Sequence, residues 1–162
     1  MKTLLRTLLY LALVVWLGAE IFFPVVAGVA FSTLPDTHAA GTVVGKLLRI
    51  LHGMGLVSGM VALALLALAP AWNIYKPRAV LAPMTIIVLM IALTGYSQWV
   101  ILPAMERDRI AAGGAIDAAD ATNPLVAHFN SLHVRSERVE GAVLLLGLAT
   151  VVLVAKAETS RV

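Results

Sequence analysis

The 162-residue sequence contains no cysteine, which excludes disulfides, thiolate-held metals, iron–sulfur clusters and covalently attached c-type haem. Charge is scarce too: Asp, Glu, Lys and Arg make up 13% of the chain, about half their share in soluble domains. What is abundant is apolar surface. Hydrophobic residues reach 60% and the mean hydropathy is +0.94, too apolar for a domain dissolved in water. The formal net charge of +3 does not point to nucleic acid, because the bases stand in ones and twos beside apolar runs, where they act as topology signals.

Four apolar runs fit helices of about 20 residues each and leave no room for a separate soluble domain. The spans are predicted at about 4–31, 43–68, 79–102 and 136–155, with an outer loop and helix start over 103–135, so that residues 1–162 form a single membrane domain. The first run, interrupted by Glu20 and Pro24, is longer than the roughly 7–15 residues of a signal-peptide core and is read as a retained helix. The third helix is expected to continue past a kink at Pro103 and to stop at Gly113-Gly114. The fourth should open at Asn123-Pro124, Asn as cap and Pro at the first helical position. Its purely apolar part, 142–155, is too short to cross alone, so the helix should begin far upstream and protrude.

The basic residues do not settle orientation by number. Lys2, Arg6, Lys76, Arg78, Lys156 and Arg161 fall on one side, Lys46, Arg49, Arg107, Arg109, Arg135 and Arg138 on the other. The acids do separate the faces. Only Glu158 accompanies the first group, which leaves that side with a clear excess of positive charge in short segments. Both termini are accordingly expected in the cytoplasm.

The polar residues that helices bring to one depth form the candidate site: Glu20, Arg49, His52, Gln98, His133, Ser136 and Glu140. Phe129, His133, Ser136 and Glu140 recur at i, i+4, i+7 and i+11, and so mark one edge of the fourth helix. On the second, Gly41, Gly45, His52, Gly55, Gly59 and Ala62 make a small-residue stripe suited to close helix approach. A charge at the centre of a span costs about 2.5–3.5 kcal/mol, so Glu20 should be neutral, paired or beside water. Its expected partners are Arg49, His52, Arg135 and Arg138. The simplest role is a buried clamp between helices; the sharper one is a site for an ion, proton, lipid headgroup or small ligand.

Metal chemistry rests on the histidines His38, His52, His128 and His133, all on the outer side. His133 and Glu137 have the i, i+4 spacing of a helical ligand pair, and a haem bridged by His52 and His133 is the corresponding cofactor reading. His52, His133 and Glu137 are thus the metal candidates. No nucleophile–base arrangement or phosphate loop is present, so the chain reads as non-enzymatic and without a cofactor.

Several short motifs, taken in order, carry a resemblance: Val15-Trp16-Leu17-Gly18 with Phe22-Phe23, Ala40-Gly41, Tyr96-Ser97-Gln98 with Ile101-x-Pro103-x-Met105-x-Arg107, and Phe129-x-x-Leu132-His133-x-x-Ser136. Over residues 8–155 they make the chain similar to the transmembrane protein 205-like family, domain of unknown function 4149. The resemblance implies a compact four-helix membrane protein in which the Pro103-Met105-Arg107 segment and the His133-Ser136 pair join helices or form a site. It also implies an uncharged residue in many relatives where this chain carries Glu140. Sequence alone therefore predicts an all-α integral membrane protein, a four-transmembrane-helix bundle in the bacterial inner membrane. Its partners are the lipid bilayer and other helices, in homo- or hetero-association; the alternative is a metal- or haem-binding protein or transport accessory using the outer histidines.

Overall fold

A computed structural model describes residues 1–159; Arg161, counted above among the basic residues, lies outside the described residues. Among the described residues all regular structure is helical: α1 (Lys2–Thr33), α2 (Thr37–Leu68), α3 (Pro77–Tyr96), a π-helical turn (Ser97–Ile101), α4 (Leu102–Ala111), a 3-10 turn (Ile116–Ala118) and α5 (Pro124–Thr159). Because α3, the π-turn and α4 run on without a break, four helical rods result, each long and apolar enough to cross a membrane.

Local chemistry sets the ends. Asp36 caps α2 by accepting the Ala39 N–H at 2.6 Å, so α2 starts at Thr37, well before the apolar run that marked its expected onset near residue 43. The cap, not the hydropathy, decides where the backbone becomes helical. Gly113 and Gly114 take φ of +93° and +97°, a region glycine enters without strain, and their N–H groups bond back to Ile110 and Arg109 to close α4. Asn123 accepts the Leu125 N–H at 2.9 Å and starts α5 at Pro124. From there α5 continues unbroken to Thr159.

Neither Pro24 nor Pro103 breaks its rod. Pro24 sits inside α1 and leaves the Glu20 carbonyl without its usual helical donor. Just upstream of Pro103 the helix widens into a turn in which the Leu102 N–H bonds Ser97 O. An i→i−5 turn accommodates the missing proline donor by local unwinding.

The core runs the length of the bundle. Leu5, Leu9, Leu13 and Trp16 of α1 meet Ala62 and Leu66 of α2, Ile87 and Met90 of α3, and Val143 and Val154 of α5. Trp16, 1% exposed, lies against the glycines of α2: a Cβ added at Gly55 would stand 2.5 Å from Trp16 Nε1, and one at Gly59 2.5 Å from Trp16 Cζ3. The predicted stripe is therefore a close-packing seam at Gly55 and Gly59, while Gly41 and Gly45 have open space where a side chain would go. On α5 the buried line is Leu132, Ser136, Val143, Gly147, Thr150, Val154 and Ala157, the near-3.5-residue repeat of helices packed at a shallow angle.

The opposite faces expose large apolar side chains, among them Val14 at 64%, Val57 at 66%, Leu145 at 68% and Val152 at 65%. Such surface is suited to lipid and not to water. On α5, Arg138 and Lys156 bracket the apolar run about 27 Å apart at about 1.5 Å per residue, close to the roughly 30 Å thickness of a hydrocarbon core. Beyond Arg138 the helix continues outward beside α4, joined to it by His128 Nδ1 and Asp108 Oδ2 at 2.7 Å.

Candidate functional site: a polar cluster shared by four helices

Antiparallel helices meet at a given depth when their polar residues lie equally far from one end of the bundle. At about 1.5 Å per residue, Glu20 stands about 27 Å from the start of α1, His52 about 24 Å from the end of α2, Gln98 about 32 Å from the start of α3 and Glu140 about 29 Å from the end of α5. All four reach one level, just inside the boundary marked by Arg138.

His52 is the hub. It is fully buried and both ring nitrogens are engaged: Nδ1 with Gln98 Oε1 at 3.0 Å and Nε2 with Glu140 Oε1 at 2.8 Å. The amide oxygen only accepts, so with Gln98 in this orientation Nδ1 carries a hydrogen and Nε2 faces the carboxyl group. Ser97 Oγ donates to the same Glu140 oxygen at 3.0 Å. The π-turn thus brings two consecutive polar side chains, Ser97 and Gln98, to the cluster. Glu20, 4% exposed, accepts the Trp16 indole N–H at 3.3 Å. Its carboxyl group lies within electrostatic range of both His52 and Glu140. Ser136, also buried, lies one turn outward from Glu140 on the α5 seam. Glu140 Oε2 is a buried atom with no hydrogen-bond partner among the described residues.

The structure brings together Glu20, His52, Gln98 and Glu140, and leaves other candidates apart. Arg49 does not pair with Glu20: it is exposed on α2, and its charge acts on Glu106 of α4. A long guanidinium one turn outward from His52 reaches the wetter level instead of turning inward. Arg135 likewise bonds Tyr96 Oη at 3.3 Å. His133 stands on the flank of the α5 seam and, among the described residues, pairs with Glu137 at 3.3 Å, both side chains more than half exposed. His52, His133 and Glu137 therefore do not converge, and among the described residues no three His, Cys, Asp or Glu side chains gather as a metal site. A haem bridged by His52 and His133 does not fit an imidazole with both nitrogens already bonded inside the helix packing.

Two members were not singled out from the sequence. Trp16 had a legible signal, since it precedes Glu20 by four residues and so shares its helix face. Ser97 had none, because an unwound turn is not visible in hydropathy.

At the opposite end a second polar group closes the bundle. Arg6 Nε lies 3.4 Å from Glu158 Oε1, Tyr75 Oη donates to the same oxygen at 2.5 Å, and the Arg6 guanidinium sits 5.9 Å from the Tyr75 ring centroid. Burial, reinforced by the bond to Glu158, pushes the Tyr75 phenol above its ordinary pKa.

Four apolar rods around an inward-facing polar cluster define a multi-pass membrane protein. Residues 11–110 match the family model described as Domain of unknown function (DUF4149), and the chain belongs to that family. The match comprises most of α1, all of α2 and α3, and α4 as far as Ile110, a shorter stretch than the 8–155 over which the motifs run. No curated protein and no solved structure matches the chain.

Proposed function

We propose that this is a non-enzymatic protein of a bacterial inner membrane, with both termini cytoplasmic, whose His52 cluster fastens four helices in register near the outer boundary. The supporting observation is His52 itself: a fully buried imidazole bonded on both nitrogens to side chains of two other rods. In hydrocarbon, polar groups bonded to one another hold helices together where the hydrophobic effect does not discriminate between helix and lipid.

Thermal unfolding in detergent of His52→Leu, Glu140→Leu and the double variant tests the clamp. Each single change strands a polar partner, so the double should cost less than the sum, with a coupling of about 0.5–3 kcal/mol. Additive effects would remove the clamp.

A second reading is favoured by one atom, the buried and unpartnered Glu140 Oε2: the cluster as an ionisable site that takes up a small ligand. Its mark is a Glu140→Gln variant with unchanged unfolding temperature that fails to complement a deletion strain.

A further inference from the structure

The surface of α5 that faces away from the core changes character abruptly at Arg138. Inward of it lies an exposed apolar stripe through Gly141, Leu145, Leu148 and Val152. Outward lies a shallow groove lined by Asn130, Ser131, Val134, Arg135 and Arg138. Arg135 and Arg138 are one helical turn apart, both exposed, and neither is paired with a carboxylate among the described residues. Arg109 differs in this respect: Glu106 accepts from it at 2.9 and 2.6 Å.

The neighbouring rod presents aromatic groups at the same level. Tyr96 Oη accepts from Arg135 Nη1 at 3.3 Å. Trp99 is 67% exposed and its ring lies back over Gly95, where an added Cβ would stand 2.8 Å from Trp99 Cζ3. Tyrosine and tryptophan at one level of neighbouring helices mark a headgroup zone. Guanidinium groups there match phosphate oxygens with two donors each, and a lipid-facing apolar stripe directly beneath them is where an acyl chain lies.

We propose that this rim of α3 and α5 binds an anionic phospholipid, with Arg135 and Arg138 on the headgroup phosphate and the chains along Leu145, Leu148 and Val152. The site goes beyond the His52 clamp and does not depend on it: it faces lipid and uses none of the cluster's residues. Tyr96 acts as a positioning residue, holding Arg135 at headgroup level. A zwitterionic lipid offers the same phosphate but cancels its charge with the choline, so selectivity for a net negative headgroup is the distinguishing property.

The test uses the full chain in detergent with added dioleoyl phosphatidylglycerol or phosphatidylcholine, read by native mass spectrometry for retained lipid and by unfolding temperature. Wild type should retain phosphatidylglycerol in preference to phosphatidylcholine and unfold at a higher temperature with it. Arg135→Gln with Arg138→Gln should lose the preference and the temperature shift, whereas Arg107→Gln, on exposed α4 beyond the rim, should keep both. Wild type without any preference overturns the proposal whether or not the double variant folds, and so does a double variant that keeps it. Inorganic phosphate producing the same temperature shift would indicate a free-anion site instead. A change in subunit number on substituting the arginines would show that a second copy of the chain covers the surface, and would equally overturn the lipid assignment.

Discussion

A buried polar residue in a bilayer is explained only when its partner is named, and the partners found here differ from those that charge alone suggests. Glu20 takes an indole N–H from its own helix in place of an arginine, and His52 takes Glu140. The reason is reach: arginines at the rim extend toward water, whereas Trp16 is already held inside by Gly55 and Gly59. At the other end Tyr75 yields a pH prediction with a definite sign. Its pKa is raised by burial and by Glu158, so the neutral phenol is favoured in the folded state. Its contribution is fully present below the pKa of about 10 that tyrosine has in an unfolded chain. Above that pH the contribution is lost progressively. Unfolding temperature should therefore fall more steeply above about pH 10 in wild type than in Tyr75→Phe, as calorimetry in detergent across that range would show; parallel curves would mean that the phenol ionises equally in both states.

At the level of elements, the rods and their caps were largely legible, because period, proline, asparagine and glycine act locally. Asn123-Pro124 and Gly113-Gly114 mark real ends. The buried edge of α5 was harder to read. The i, i+4, i+7, i+11 edge through His133 competes with a 3.5-residue seam through Leu132 and Val143, and the two share Ser136; packing against neighbours, absent from the sequence, selects the second. The glycines of α2 give the corresponding experiment. Gly59→Ala drives a methyl into Trp16 and should lower stability by about 1–3 kcal/mol. Gly45→Ala meets open space and should be neutral or stabilise the helix by up to about 1 kcal/mol. Equal effects at the two positions would contradict the Trp16 packing. Asn123→Ala should cost about 0.5–2 kcal/mol through loss of the α5 cap, measurable as a lowered unfolding temperature.

For the whole molecule, the levels agree from rod to rod. Arg6, Tyr75 and Glu158 gather at one end, Arg138 and the Tyr96–Trp99 pair mark a second level about 30 Å along, and the His52 cluster lies just within it. Outward of that level α4 and the first turns of α5 form a short polar stalk tied by His128 and Asp108. The sequence reading expects α5 to begin near Pro124 and the third helix to run on to Gly113-Gly114, as both do, but it does not foresee the His128–Asp108 tie between them. The central claim, that four rods cross one bilayer with the 112–123 loop and the termini on opposite sides, can be measured directly because the chain has no cysteine of its own. Single cysteines at Ala118, exposed in that loop, and at Thr159, exposed at the end of α5, are treated in intact spheroplasts with a membrane-impermeant maleimide and again after lysis. Ala118→Cys should label before lysis and Thr159→Cys only after it. Labelling of both before lysis would contradict the four-span account, and the reverse order would invert its orientation.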